Sequence, residues 1–226
     1  MSPKRSSRPE RIFFLPYPQA VGRGIPNRRR PGVTVEQFLK THFGRPGIVT
    51  PNGRTAIDMV LKSLKLNPED EVYITTTFEK PNVSSCVTCT IFNTCRPSRV
   101  FTGKTKAIFV IHEFGVPHPR LAGLANLAKE KGIALIEDCA HTLDSQWNGR
   151  KVGQAGDFVI GSFPKIFPVE DGGFLIGKTS PRPFTSSEAG RIRRVKQILP
   201  QYLNCLTDYS DRKRKIFRSL TEKFKS

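Results

Sequence analysis

The chain has 226 residues, with 37 Lys and Arg against 19 Asp and Glu and a formal net charge of +18. No apolar run approaches the roughly 20 residues of a membrane-spanning helix, and no apolar segment follows the basic start MSPKRSSRPER, so neither a transmembrane span nor a signal peptide is expected. Five cysteines, an odd number in a chain of this size, argue against a disulfide framework and for a soluble, cytoplasmic protein.

Residues 1–32 carry eight basic side chains and one acid and are rich in Pro, Gly and Arg, which predicts a basic irregular N-terminal arm. Val33 to Phe43 suits a short helix stopped by Gly44 and Pro46. An extended stretch, Gly47 to Thr50, leads through the Pro51-Asn52-Gly53 turn into a helix whose apolar positions are Ile57, Val60, Leu61 and Leu64. After the Asn67–Asp70 turn, Glu71 to Thr76 is a strand, and Val83 to Phe92 is read as a helix from its place in the alternation. Ala107 to Ile111 is a continuous apolar run, as in a strand buried on both faces. Leu121 to Lys131 is helical, with Gly132 placed to end it. Ala134 to Glu137 is the next strand, ending in Asp138, and residues 157–162 and 173–176 give two more. The alternation predicts an α/β fold, a mostly parallel open sheet flanked by helices over residues 33–178, with ligands beyond the carboxyl ends of the strands.

Residues 179–226 read as a linker, SPRPFTSSEAG, and a basic helical segment. Arg191 to Leu199 forms a helix halted at Pro200, and residues 211–225 place Ile216, Leu220 and Phe224 on one stripe of a basic helix. The stripe suits the protein's own core, a partner or a membrane surface, the first being the commonest case. Residues 33–190 have 18 basic and 15 acidic side chains, whereas residues 191–226 have 11 and three. The charge therefore belongs to the two ends, which suit nucleic acid, anionic lipid or phosphorylated ligands, or are simply solvated.

Polar groups that fall at strand ends are the candidates for chemistry. Asp138 and Ser162 end strands, Lys165 lies three residues further on, and Asn52-Gly53-Arg54-Thr55 opens a helix. A helix start offers free N–H groups and the positive end of a dipole, a natural phosphate cradle. Gly53 permits close backbone approach, Arg54 adds charge and Thr55 a hydroxyl. Each feature alone is equally an ordinary cap, loop or solvated side chain. Cys86-x2-Cys89 with Cys95 lacks the further Cys or His pair of a zinc site, His112-Glu113-Phe114-Gly115-Val116 lacks the second histidine of a zinc-protease helix, and there is no Gly-x-Ser-x-Gly. No metal is expected.

Taken in order, Asn52-Gly53-Arg54-Thr55-Ala56, the strand into His112, Phe114 and Gly115, Glu137-Asp138-Cys139-Ala140-His141, Gly153–Gly156, Ser162-Phe163-Pro164-Lys165 and Glu170-Asp171-Gly172-Gly173 form a specific series. It resembles the DegT/DnrJ/EryC1/StrS family, the pyridoxal-phosphate sugar aminotransferases of the aspartate-aminotransferase fold, over about residues 35–178. The resemblance implies that Lys165 forms a Schiff base with the cofactor and shuttles a proton. It implies that Asp138 holds the pyridine nitrogen protonated so that the ring draws electrons. The resemblance also implies that His141 stands beside the ring near its phenolic oxygen and that Ser162 with Gly53, Arg54 and Thr55 forms the phosphate cup. Phe78 is the candidate for stacking on the ring. It further implies a keto-sugar nucleotide substrate, an amino donor such as glutamate, and a homodimer.

Two departures qualify the expectation. Ser162 and Lys165 are three residues apart where many members have five, although the spacing from Lys165 to Gly172-Gly173 is kept. Only 53 residues follow Gly173, where members continue into a small domain, and no Gly-x-Asn-x-Arg-like segment is among them. Three readings remain: a shortened sugar aminotransferase, a non-catalytic homologue serving as a binding or assembly subunit, and a basic module for nucleic acid or a membrane surface.

Overall fold

The computed structural model describes residues 33–80, 83–147, 149–180 and 182–223. The arm expected at residues 1–32 and Phe224 of the apolar stripe lie outside them. Helix α1 (Val35–Phe43) starts at a reciprocal cap: Thr34 Oγ1 accepts the Gln37 N–H, and Gln37 Oε1 accepts the Thr34 N–H. It ends at Gly44, whose φ of 70° is the left-handed conformation glycine adopts without strain. β1 (Gly47–Thr50), α2 (Gly53–Ser63), β2 (Glu71–Thr76), α3 (Ser85–Phe92), β3 (Arg96–Ser98), β4 (Thr105–Ile111), α4 (Leu121–Lys131) and β5 (Ala134–Asp138) follow. A small hairpin, β6 (Gln146–Trp147) and β7 (Arg150–Lys151), precedes β8 (Phe158–Ser162), a single 3-10 turn (Phe163–Lys165) and β9 (Gly173–Ile176). The chain then runs through α5 (Ser186–Ile198), α6 (Pro200–Leu203) and α7 (Leu206–Lys223).

Seven strands form one sheet in the order β1-β9-β8-β5-β4-β2-β3. The pairs β3–β2, β2–β4, β4–β5 and β5–β8 are parallel, while β9 runs antiparallel to both its neighbours. The expected mostly parallel sheet is therefore present. Alternation along the strands sends successive side chains to opposite layers. Ala107 and Phe109 pack with Ile57, Val60 and Leu61 of α2 and Ile91 of α3. Ile108 and Val110 pack with Leu121 and Leu124 of α4.

The structure revises two elements and adds a third. The segment from Ser186 to Gly190 is the first part of α5 rather than linker, because Thr185 and Glu188 form a second reciprocal cap. Residues 96–98 form an edge strand, where Pro97 needs no ladder donor. The apolar stripe of α7 does not pack on the body: Ile216 is 60%, Phe217 70% and Leu220 49% exposed. By contrast, Val195, Leu199, Leu203 and Leu206 join the cluster containing Val35, Phe43 and Phe174, so α5 and α6 pack on the sheet. Among the described residues no helix is long and apolar enough to cross a membrane.

Candidate active site

The strand register places the site. Thr76 pairs with Ile111 and Ile111 with Asp138, so β2, β4 and β5 end together. Asp138 also pairs with Ile160, and Ser162, two residues on, ends β8 opposite Gly173. All these ends open on one edge, where a parallel sheet of this kind holds its ligands.

Asp138 is buried at that edge, and its Oδ1 accepts the Ala140 N–H at 2.9 Å. Burial raises its carboxyl pKa, while the Ala140 N–H and the charge of Lys165 pull the other way without cancelling the rise. A buried carboxylate in this state gains from a cation placed against it. Lys165, exposed at the end of the 3-10 turn after β8, is near enough for its charge to act on Asp138.

On the other side of β8, α2 begins at Asn52, whose Oδ1 accepts the Thr55 N–H at 2.9 Å. The N–H groups of Gly53 and Arg54, in the first turn, have no intrahelical acceptor. The helix start is drawn into the sheet. Gly172 N–H donates to Pro51 O at 2.9 Å, and a Cβ on Gly173 would lie 2.6 Å from Asn52 C and 2.7 Å from Gly53 N. A Cβ on Gly53 would in turn lie 3.6 Å from Ser162 Cβ. Gly53 and Ser162 are thus brought together across 109 positions of sequence, and a larger residue at Gly173 would press on the backbone at the start of α2.

Arg54 and Thr55 turn partly elsewhere. The Thr55 hydroxyl donates to Asn52 Oδ1 at 3.3 Å. Both residues line a cavity of about 520 Å³ between α2 and α3, shared with Asn52, Ser85, Cys86 and Cys89. Cys86 and Cys89 are exposed, whereas Cys95 is buried.

Aromatic rings close the β2–β5 side. Phe78, just past β2, stacks toward Phe114 with centroids 6.4 Å apart, and Phe114 stacks on His141 at 5.4 Å and 14°. His141 Nδ1 also accepts the Phe114 N–H at 3.5 Å. Phe114 has a φ of 51°, left-handed and uncommon for a bulky residue. A polar clasp supports the rings. Thr77 Oγ1 donates to Val116 O at 2.9 Å and accepts the Glu113 N–H at 3.0 Å, while Glu113 Oε2 accepts the Phe78 N–H at 3.0 Å.

Beneath the edge lies a buried network to which sequence reasoning assigned no role. Glu137 Oε2 accepts from His112 Nε2 at 3.1 Å and Gly153 N–H at 2.8 Å, and its Oε1 from the Ala155 and Gly156 N–H groups at 2.9 and 2.6 Å. Burial alone would raise the Glu137 carboxyl, but these donors outweigh it and hold it low. His112 Nδ1 accepts the His118 N–H at 2.9 Å, so its other nitrogen carries the proton given to Glu137. His118 Nδ1 accepts the Arg120 N–H, and its Nε2 donates to Thr75 Oγ1 at 3.0 Å. Burial, with the neighbouring charge of Arg120, pushes His118 down to about 4, so it is neutral at pH 7. Donor atoms of His112, Glu137 and Cys139 lie within 4.8 Å of one another, but Glu137 already accepts four hydrogen bonds. The motifs around Glu137 and residues 153–156 were visible in the sequence; their contact was not.

The sheet and its flanking helices form an α/β fold shared with a solved aminotransferase. Residues 95–180 match the family model of the DegT/DnrJ/EryC1/StrS aminotransferases. The chain is 31% identical to a pleiotropic regulatory protein of Geobacillus stearothermophilus, the match covering 74% of this chain and 48% of that protein. It is 30% identical to a UDP-N-acetyl-3-dehydro-α-D-glucosamine 3-aminotransferase of Acidithiobacillus ferrooxidans, over 58% of this chain and 39% of the relative. An aminotransferase structure from Psychrobacter cryohalolentis superposes with a TM-score of 0.56 at 27% identity, covering 63% of this chain and 40% of that one. The chain thus spans less than half the length of these relatives.

Proposed function

We propose that residues 33–178 form the cofactor-binding part of a sugar aminotransferase that uses pyridoxal 5'-phosphate, acts on a keto-sugar nucleotide and takes its nitrogen from an amino donor such as glutamate. The observation that carries the reading is the meeting, at one sheet edge, of the buried Asp138 carboxyl, Lys165 and the glycine-lined start of α2 against Ser162. These residues fit the cofactor. Asp138, whose burial calls for a cation, would hold the pyridine nitrogen. The Gly53 and Arg54 N–H groups with Ser162 would hold the phosphate, with the Arg54 and Thr55 side chains at its rim. Phe78 would cover the ring and His141 would steady it near the phenolic oxygen.

When bound, pyridoxal phosphate supplies the electron sink that lets a carbon next to nitrogen give up its proton. Lys165 Nζ would hold the cofactor and would take and return that proton. The Glu137–His112 network fixes the 153–156 loop behind Asp138 and keeps the strand end rigid while charge shifts above it. The sugar-nucleotide substrate is supported by the activity that the Acidithiobacillus ferrooxidans relative's name states. The full chain mixed with pyridoxal phosphate is expected to develop a visible absorption band that borohydride removes and Lys165→Ala lacks. A protein that takes up no cofactor would refute the reading.

The name of the Geobacillus stearothermophilus relative, a pleiotropic regulatory protein, favours a second reading, a non-catalytic binding or assembly subunit on the same fold. Cofactor uptake with no half-reaction toward glutamate would establish it. A homodimer, also proposed, is checked by light scattering of the cofactor-loaded chain.

A further inference from the structure

Among the described residues, three large exposed apolar side chains outside the site, Ile216, Phe217 and Leu220, lie close together on α7. Leu206 anchors the helix in the core cluster shared by α1 and α5. From Asp211 to Lys223, every side chain the structure describes is exposed except the half-buried Thr221. Ile216 and Leu220 stand one turn apart with Phe217 beside them, forming a single protruding triad.

Cations bracket this triad at helical spacing. Arg212 precedes Ile216 by four residues, Arg214 precedes Phe217 by three, and Lys223 follows Leu220 by three. Residues 211–223 hold six basic and two acidic side chains, Asp211 and Glu222, and Asp211 is paired with Arg214 at 2.7 Å. An apolar ridge flanked by long cationic side chains is the pattern of a helix that lies in the plane of a lipid interface. The ridge enters the boundary of the acyl chains while the flanking cations reach phosphate.

We propose that α7 docks the protein on an anionic phospholipid surface, with Ile216, Phe217 and Leu220 inserted and Arg212, Arg214 and Lys223 on the headgroups. The charge of the chain, +18 overall and concentrated at its ends, complements that surface. Two copies of α7 packed ridge to ridge would bring the Arg212 and Arg214 rows onto like charges. Nucleic acid would meet the cations but leave an isoleucine, a phenylalanine and a leucine pressed against phosphate. The inference is independent of the cofactor reading, since no residue of α7 lines the site.

The test is co-sedimentation of the full chain with vesicles of pure phosphatidylcholine and of equal parts phosphatidylcholine and phosphatidylserine. Binding is expected to the mixed vesicles alone, weakening about tenfold or more in Phe217→Ser/Leu220→Ser, where the apolar anchor is lost. These exposed substitutions should leave the circular dichroism and melting of the chain unchanged. As a second readout, Phe217→Trp should show a blue-shifted emission on the mixed vesicles. Absence of binding to the mixed vesicles would overturn the proposal. So would equal binding by the double variant, an unshifted emission from the Phe217→Trp variant, or a self-association or duplex-DNA complex that depends on Phe217 in place of lipid binding.

Discussion

Gly173→Ala probes the cradle more sharply than any substitution of a polar residue, because it adds one methyl group and removes nothing. The added carbon would sit 2.6 Å from Asn52 C, 2.7 Å from Gly53 N and 2.8 Å from Asn52 O, all of them backbone atoms. No side-chain rotation relieves these contacts, so the start of α2 has to move away from β9 by about an ångström to restore ordinary van der Waals distance. Overpacking of this kind destabilises by about 1–3 kcal/mol, which for a chain of this size lowers the melting temperature by about 3–10 °C. The same shift separates the Gly53 and Arg54 N–H groups from Ser162. Pyridoxal phosphate and inorganic phosphate should then both bind about tenfold or more weakly, as expected when charge-assisted hydrogen bonds lengthen. The control is Gly123→Ala in α4, where the new methyl meets nothing within 4 Å and should stabilise by about 0.5–1 kcal/mol. Calorimetry and cofactor titration of both variants decide the matter. A Gly173→Ala protein with wild-type melting and wild-type affinity would refute the cradle geometry.

Asp138→Asn should separate stability from function. The folded carboxyl pKa is raised, so its contribution to stability is present below the unfolded value and lost as pH rises through the folded one. The amide variant without cofactor should therefore be more stable than wild type at neutral pH, with no gain under acid conditions, while its cofactor affinity falls. His118 has the opposite dependence on pH. Its folded pKa is depressed from 6.5 to about 4, so the unfolded chain binds the extra proton between those values and stability falls as pH drops across that window, by about 3 kcal/mol. His118→Gln should flatten that part of a denaturant-stability profile, and an unchanged slope would show that the Thr75–His118 pair is not held neutral in the native protein.

Much of the sheet was legible because local signals and tertiary environment agreed. Leu121–Lys131 ends at Gly132, in the left-handed conformation, as its spacing predicts. Ala107–Val110 reads as a doubly buried strand because it is one. The start of α5 was also written in the chain, as Thr185 three residues before Glu188, but the surrounding Ser and Pro residues read as linker. The periodicity of α7 predicted the helix yet carried no information about its environment, since a stripe at four-residue spacing looks the same facing a core, a partner or water. At the site, the residue types at the strand ends could be placed from sequence. What could not be read was contact across distance: Glu137 gathers donors from 25 residues upstream and 16 to 19 downstream, and the α2 start meets Gly173 only because β9 turns back antiparallel between β1 and β8. The division of Arg54 and Thr55 from the Gly53–Ser162 contact has the same origin, as a helix turns its successive side chains in different directions.

The central claim, that this sheet edge is a cofactor site built around Lys165, is tested most directly by reducing the full chain with borohydride in the presence of pyridoxal phosphate and mapping the labelled lysine by peptide mass spectrometry. The account predicts a single phosphopyridoxyl group on Lys165, lost in Lys165→Ala and diminished in Asp138→Asn. Label scattered over the basic ends, or retained elsewhere when Lys165 is replaced, would contradict it.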